Sequence, residues 1–204
     1  MGLVIFEVIQ PGIFSTVQDL GRKGYLASGI PPSGAMDRFS LKMGNLLVKN
    51  PIGEAGIEMT AVGLTVRALE DTVIAFTGGA FDFKKNGDPI PQWETVDVKK
   101  GDILSSGGSK KGWRAYLCVA GGIDVPVALG SKATYTMGAL GGFRGRALKK
   151  GDTLLSGQPT VALNSLSGRR IKKAALPDLN EATTLRVVMG PQDDYVAEES
   201  IETF

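Results

Sequence analysis

Histidine is absent from the 204 residues. A Ser-His-Asp or Cys-His triad within this chain is thereby excluded, and so is a zinc site built on imidazole. Proton transfer has to run through Asp, Glu, Tyr, Lys, an ordered water, or a group brought by a substrate or partner. Cysteine is nearly absent as well: Cys118 alone permits no intrachain disulfide and no redox pair. It lies in the apolar run AYLCVAGG (115–122), which reads as a buried strand rather than the setting of a nucleophile. No apolar run approaches the roughly 20 residues of a membrane-spanning helix. The N-terminal MGLVIFEVIQPG is too short in its apolar part for a signal peptide, so a cytoplasmic location is expected. Charge of one sign is also scarce, with 23 Lys and Arg against 21 Asp and Glu. The one basic cluster, Arg169, Arg170, Lys172 and Lys173, sits in a polar stretch, which makes a poor nucleic-acid footprint. Nucleotide signatures fail too. GGSKKG (107–112) lacks P-loop spacing, and no G-x-G-x-x-G leads from a strand into a helix.

What is present is glycine, 28 residues of it, between short β-branched and aromatic runs such as LVIFEVI, TVIAFTG and RAYLCVAGG. That spacing predicts a mostly-β barrel or sandwich with few helices. Asn86-Gly87-Asp88-Pro89 reads as a turn between short strands. One helix is expected over Met36 to Val48, with Phe39, Met43, Leu46 and Leu47 on its apolar face. Ser33 or Gly34 would cap it, Asp37 would favour its first turn, and Asn50-Pro51 would end it. KKGD occurs twice, at 99–102 and 149–152, each time before a strand, and both copies read as hairpin turns. The expected organisation is a first β-barrel domain at 1–156, a linker at 157–183, and the start of an incomplete second β domain at 184–204.

The stretch STVQDLGRKGYLASGIPPSGAMD (15–37) holds the densest set of special residues. Delivering the chain into a helix N-terminus makes it either a plain capping loop or an anion or carbonyl site. Asp19 and Arg22, three apart, read as a local ion pair. Glu58, flanked by apolar residues, reads as partly buried or paired to an arginine. Arg144 and Arg146 in the glycine-rich GALGGFRGRALKKGD (138–152) could clamp a carboxylate in bidentate fashion. The Gly pairs at 78–79 and 121–122 mark either barrel corners or close approaches of backbone.

Taken in order, TVQDLGRKGY and GIPPSGAMD, a helix with Asn45 followed by KNP, IEMTAVG, AFTGGAFD, NGDPIPQWE, GWRAYLCVAGGIDVPVALGSKATYT and GGFRGRALKKGD resemble one family. It is the KipA-like family of biotin-dependent carboxyltransferase-type proteins. That family includes component C of bacterial ATP-dependent 5-oxoprolinase and the matching half of the urea carboxylase carboxyltransferase domain. The resemblance runs from about Phe6 to Asp152, with an echo at RVVMGPQDDY (186–195). It implies a cyclophilin-like β-barrel, a KipI-like partner subunit (component B in the oxoprolinase case), and a possible third subunit. The implied chemistry is ATP-dependent opening of 5-oxoproline to glutamate, or carboxyl transfer from carboxybiotin to an amide-type nitrogen. ATP and biotin are thus the implied cofactors, with ATP bound here in unfamiliar geometry or on a partner, and no metal is expected. A non-catalytic module that antagonises a KipI-like kinase inhibitor is the other reading. Residue type and resemblance together nominate Asp19, Asp37 and Ser33 for catalysis. For substrate binding they nominate Arg22, Gly34, Asn45, Glu58, Arg114, Tyr135, Gly142, Arg144 and Arg146. Two departures stand out: the chain stops where relatives continue into a second barrel, and Ala133 occupies a position where a hydroxyl is expected.

Overall fold

Alternating apolar runs do become strands. The computed structural model describes residues 2–179, 184 and 186–203. Strands β1 (Leu3–Gln10), β4 (Thr65–Ala68), β8 (Ile103–Val119) and β3 (Gly56–Thr60) lie side by side, with β2 (Phe14–Gln18) outside β3. On the other flank β1 pairs with β10 (Thr153–Ser156), and β10 with β9 (Ile123–Asp124). The long strand β5 (Thr72–Lys85) pairs along β8 and carries β6 (Asp88–Pro89) and β7 (Thr95–Val98). All these pairings are antiparallel. Strand β8 shares its second edge between β4 at residues 103–105 and β3 at residues 114–117. Ile123 donates to the Ala55 carbonyl, drawing the two ends of the sheet together into a nearly closed, mostly-β barrel.

Side-chain alternation along a strand sends neighbours to opposite faces, which explains the unbroken apolar run in β8. Ala115, Leu117 and Val119 enter the barrel interior with Phe6, Phe76 and Leu154. Tyr116 and Cys118 point the other way, under the helix α1 (Arg38–Leu47), where they meet Leu41, Leu47 and Leu166. Cys118 is fully buried, and burial pushes its thiol up to about 12. The buried strand cysteine expected from the sequence is what the chain forms.

The helix corrects three expectations. Its N-cap is Asp37, whose carboxylate accepts from the Ser40 backbone and hydroxyl, not Ser33 or Gly34. It begins at Arg38 rather than Met36, while its end, with Val48 as C-cap ahead of Asn50-Pro51, falls where expected. Its buried face comprises Ser40, Leu41, Gly44, Asn45 and Leu47, while Phe39 and Leu46 are each more than 40% exposed. Gly44 is the reason: a Cβ there would lie 2.6 Å from Cys118 Sγ, so the helix presses its smallest residue onto the sheet.

Both KKGD segments form the same turn, but neither is a hairpin. In each, the Asp carboxylate accepts from the first Lys N–H (Lys99–Asp102, 2.8 Å; Lys149–Asp152, 2.7 Å). The first then docks on Ala68 of β4 and the second on Val8 of β1, two strands paired with one another. The turns are equivalent rim pieces, each launching a strand against the neighbour it is docked on. Downstream, residues 157–171 run along the barrel. Leu166 is fully buried, Thr95 Oγ1 donates to its carbonyl, and Arg169 donates to the Leu46 and Leu47 carbonyls at the end of α1. Part of the expected linker, residues 180–183, lies outside the described residues. So do residues 185 and 204 of the expected second unit.

Candidate functional site

The loop 19–37 spends its polar groups on itself and on one distant segment. Asp19 accepts from Gly21 N (2.7 Å), Ser131 Oγ (2.7 Å) and Lys132 N (2.6 Å). Arg22, 1% exposed, donates to Ser33 Oγ and to the Ala133 carbonyl. The expected Asp19–Arg22 ion pair does not form. The spacing of three suits a helix surface, whereas here Gly21 turns the chain between them with φ 88°. Ser33 and Gly34 also have positive φ, and Gly34 N donates to Gln18 Oε1. Ala133 contributes its carbonyl, so the missing hydroxyl there leaves this contact untouched.

A second cluster secures the start of α1. Glu58 Oε2 accepts from Met36 N (2.8 Å) and from the Tyr116 hydroxyl (2.7 Å), which in turn accepts from Asp37 N. Arg114 Nε lies 3.5 Å from Glu58 Oε1, an ion pair without hydrogen-bond alignment. Burial, then the adjacent Glu58 charge and hydrogen bond, hold the Tyr116 phenol far above its ordinary range. Glu58 is thus the buried, arginine-paired carboxylate expected of it. Asn45 is fully buried and ties the helix to the following chain, donating to Glu54 O and accepting from Asn50.

The open site lies elsewhere. A groove of about 600 Å³ runs between β9, β10 and the segment 139–145. Val125, Pro126, Phe143 and Leu155 supply its apolar lining, and Asp124 and Arg144 are its charged residues. Arg144 is exposed, its guanidinium stacked 5.2 Å over the Phe143 ring, and it pairs with no carboxylate among the described residues. Arg146 differs: it grips Asp152 with both terminal nitrogens at 2.7 and 2.8 Å. Burial works to raise the Asp152 carboxyl. The Arg146 hydrogen bond, the Lys149 N–H and the charges of Arg146 and Arg144 outweigh it and hold the group below the usual carboxylate range. Tyr135 exchanges two backbone bonds with Leu140, closing the neck of the loop below the groove. Gly142 is buried at φ 52°, and a Cβ there would collide with Thr134 Oγ1 at 1.8 Å.

The structure therefore brings together Asp19, Arg22, Ser33 and Gly34 in one network, and Asp37, Glu58 and Arg114 in another. Of the nominated arginines, Arg144 lines the groove. Asp124 was missed, although it stands in VAGGIDVP beside the glycine pair singled out from the sequence. Its signal was a charged residue closing an apolar strand. The GGSKKG segment forms no loop leading into a helix. Residues 107–112 lie within β8, and the described residues contain no group of three or more His, Cys, Asp or Glu able to hold a metal ion.

Comparison with known proteins fits this architecture. The family described as carboxyltransferase domain, subdomain A and B, matches residues 28–204. The chain belongs to that family. Urea amidolyase of Lachancea kluyveri is 41% identical over 98% of this chain and 11% of its own length. Component C of the Escherichia coli 5-oxoprolinase is 38% identical over 76% of this chain and 50% of its own. The crystal structure of the K. lactis urea amidolyase, 40% identical, superposes with a TM-score of 0.81 over 89% of this carboxyltransferase-family chain and 11% of that one. The chain thus spans about a tenth of the urea amidolyases and half of the 5-oxoprolinase component. Among the described residues no helix is long and apolar enough to cross a membrane.

Proposed function

We propose that this chain is the first-barrel part of an ATP-dependent, amide-directed enzyme. It would open 5-oxoproline to glutamate, or direct a carboxyl group from carboxybiotin onto an amide-type nitrogen such as that of urea. The observation that carries this reading is the groove, with one cation, Arg144, and one carboxylate, Asp124, on an apolar lining. A small planar ligand with an amide N–H and a carboxylate matches that pair: Asp124 accepts the N–H and Arg144 takes the carboxylate. The ureido head of carboxybiotin meets the same description, keeping one N–H and carrying on its other nitrogen the carboxylate to be transferred. In this reading Asp19, Asp37 and Ser33 hold the loop and helix, and Asp124 takes the chemical role for which they were nominated. ATP is engaged on a partner, for which a KipI-like subunit is the candidate, with a third subunit in the oxoprolinase case. Residues 1–156 are the first domain, 157–183 the connector and 184–204 the start of a second β unit, in a cytoplasmic complex.

The test is co-expression of the protein with its KipI-like partner and the third subunit, followed by two ATP-dependent assays, the urea assay with a biotinylated carrier and a biotin carboxylase added. One measures glutamate from 5-oxoproline; the other measures carboxylation of urea in bicarbonate. Turnover in either assay, reduced at least tenfold by Arg144→Ala or Asp124→Asn, is the expected result. A stable complex with no turnover of either substrate would overturn the enzymatic reading in favour of a regulatory binding module.

A further inference from the structure

Arg22 presents an electrostatic problem that the loop itself does not solve. Its side chain is 1% exposed, its two hydrogen bonds go to a neutral hydroxyl and a neutral carbonyl, and its Nε has no partner. Among the described residues no carboxylate pairs with it. A guanidinium buried without a counter-ion is costly, and the cost falls only when a negative charge is brought close. The position of its head group indicates where that charge would sit. A Cβ on Gly141 would come within 2.7 Å of Arg22 Nη2, so the arginine lies directly behind this residue, and Gly141 lines the groove that Arg144 faces. One cation stands at the rim and another behind a wall one glycine thick.

The backbone between them has spare donors. Gly142 N and Gly145 N donate to Lys132 O and Gly141 O. The N–H groups of Gly141, Phe143 and Arg144 donate to no described residue. Residues 141, 142, 144 and 145 all have positive φ and Phe143 does not. Such changes of hand let successive N–H groups converge on an anion.

We propose that Arg22, Arg144 and the backbone N–H groups of Gly141, Phe143 and Arg144 form a subsite for a single carboxylate-type anion, with Arg22 as its buried positioning charge. The proposal deepens the groove reading above and rests on it for the location, but not on either substrate being turned over. Two cations set against Asp124 leave the groove with a positive excess, and the ligand's carboxylate neutralises it.

The experiment is an NMR titration of the ¹⁵N-labelled full chain at low ionic strength, with acetate and, separately, its neutral isostere acetamide. The expected result is saturable shifts of the Phe143 and Arg144 amide signals with acetate and none with acetamide. Arg22→Met, which keeps length and burial but removes the charge, should weaken acetate binding about tenfold. Arg144→Gln should weaken it to a similar degree. Equal responses to acetate and acetamide overturn the proposal, as does undiminished acetate binding by folded Arg22→Met. Should that variant fail to fold, the contrast between the two probes on the unaltered chain decides alone. Acetate binding without turnover of 5-oxoproline or urea would defeat the proposed function and leave this subsite standing.

Discussion

The loop 19–37 and the segment 139–146 both carry glycine and charge, yet they end in opposite states. In the loop, Asp19 makes three hydrogen bonds and Ser33 and Gly34 one each, and Asp37 caps a helix. In the segment, Arg144 and three backbone donors make none to described residues. The contrast repeats within the segment: Arg146 is locked onto Asp152, and Arg144, two residues earlier, has no such partner among the described residues. Polar composition alone does not mark a site. Unused hydrogen-bonding capacity beside a concave apolar surface does.

That contrast can be broken most forcefully at Asp19. Asp19→Ala strands two backbone donors and a hydroxyl that now share one carboxylate. With charge-assisted bonds worth roughly 1.5–3 kcal/mol each and imperfect additivity, it should cost about 4 kcal/mol, read from the urea midpoint at unchanged slope. Arg146→Ala should cost less, about 2 kcal/mol, and should also change the acid limb of stability. The depressed Asp152 carboxyl contributes stability that is complete above its unfolded value of about 3.9 and is lost as pH falls through its lower folded value. Unfolding midpoints between about pH 4 and pH 2 should therefore fall more steeply for the parent than for Arg146→Ala. Arg144→Ala should sit at the other extreme, with stability changed by less than about 0.5 kcal/mol. A large stability loss there would erase the distinction between the two arginines.

The barrel was legible in the sequence because short β-branched and aromatic runs broken by turn residues are local signals, and the motif order pointed to the family. Cys118 was legible for the same reason. The helix was legible as an element but not in its orientation. Its buried face is led by Ser40, Gly44 and Asn45, which an apolar count passes over, and close packing rewards the small residue at Gly44. The partners of Asp19 were hidden because they lie 112 and 113 residues away, so a nearby arginine was the only candidate in view. Asp124 was overlooked because a single carboxylate ending a strand has no pattern until β10 and the 139–145 segment close around it.

The long reach of Asp19 also bears on how the chain folds. A carboxylate that waits for residues 131 and 132 can bond only after most of the barrel between has formed, since closing a loop of that length yields nothing until both ends are in place. Asp19 is then expected to act as a latch set late, after the rate-determining step of folding. Its removal should appear almost wholly as faster unfolding, with the rate of folding left nearly as it was.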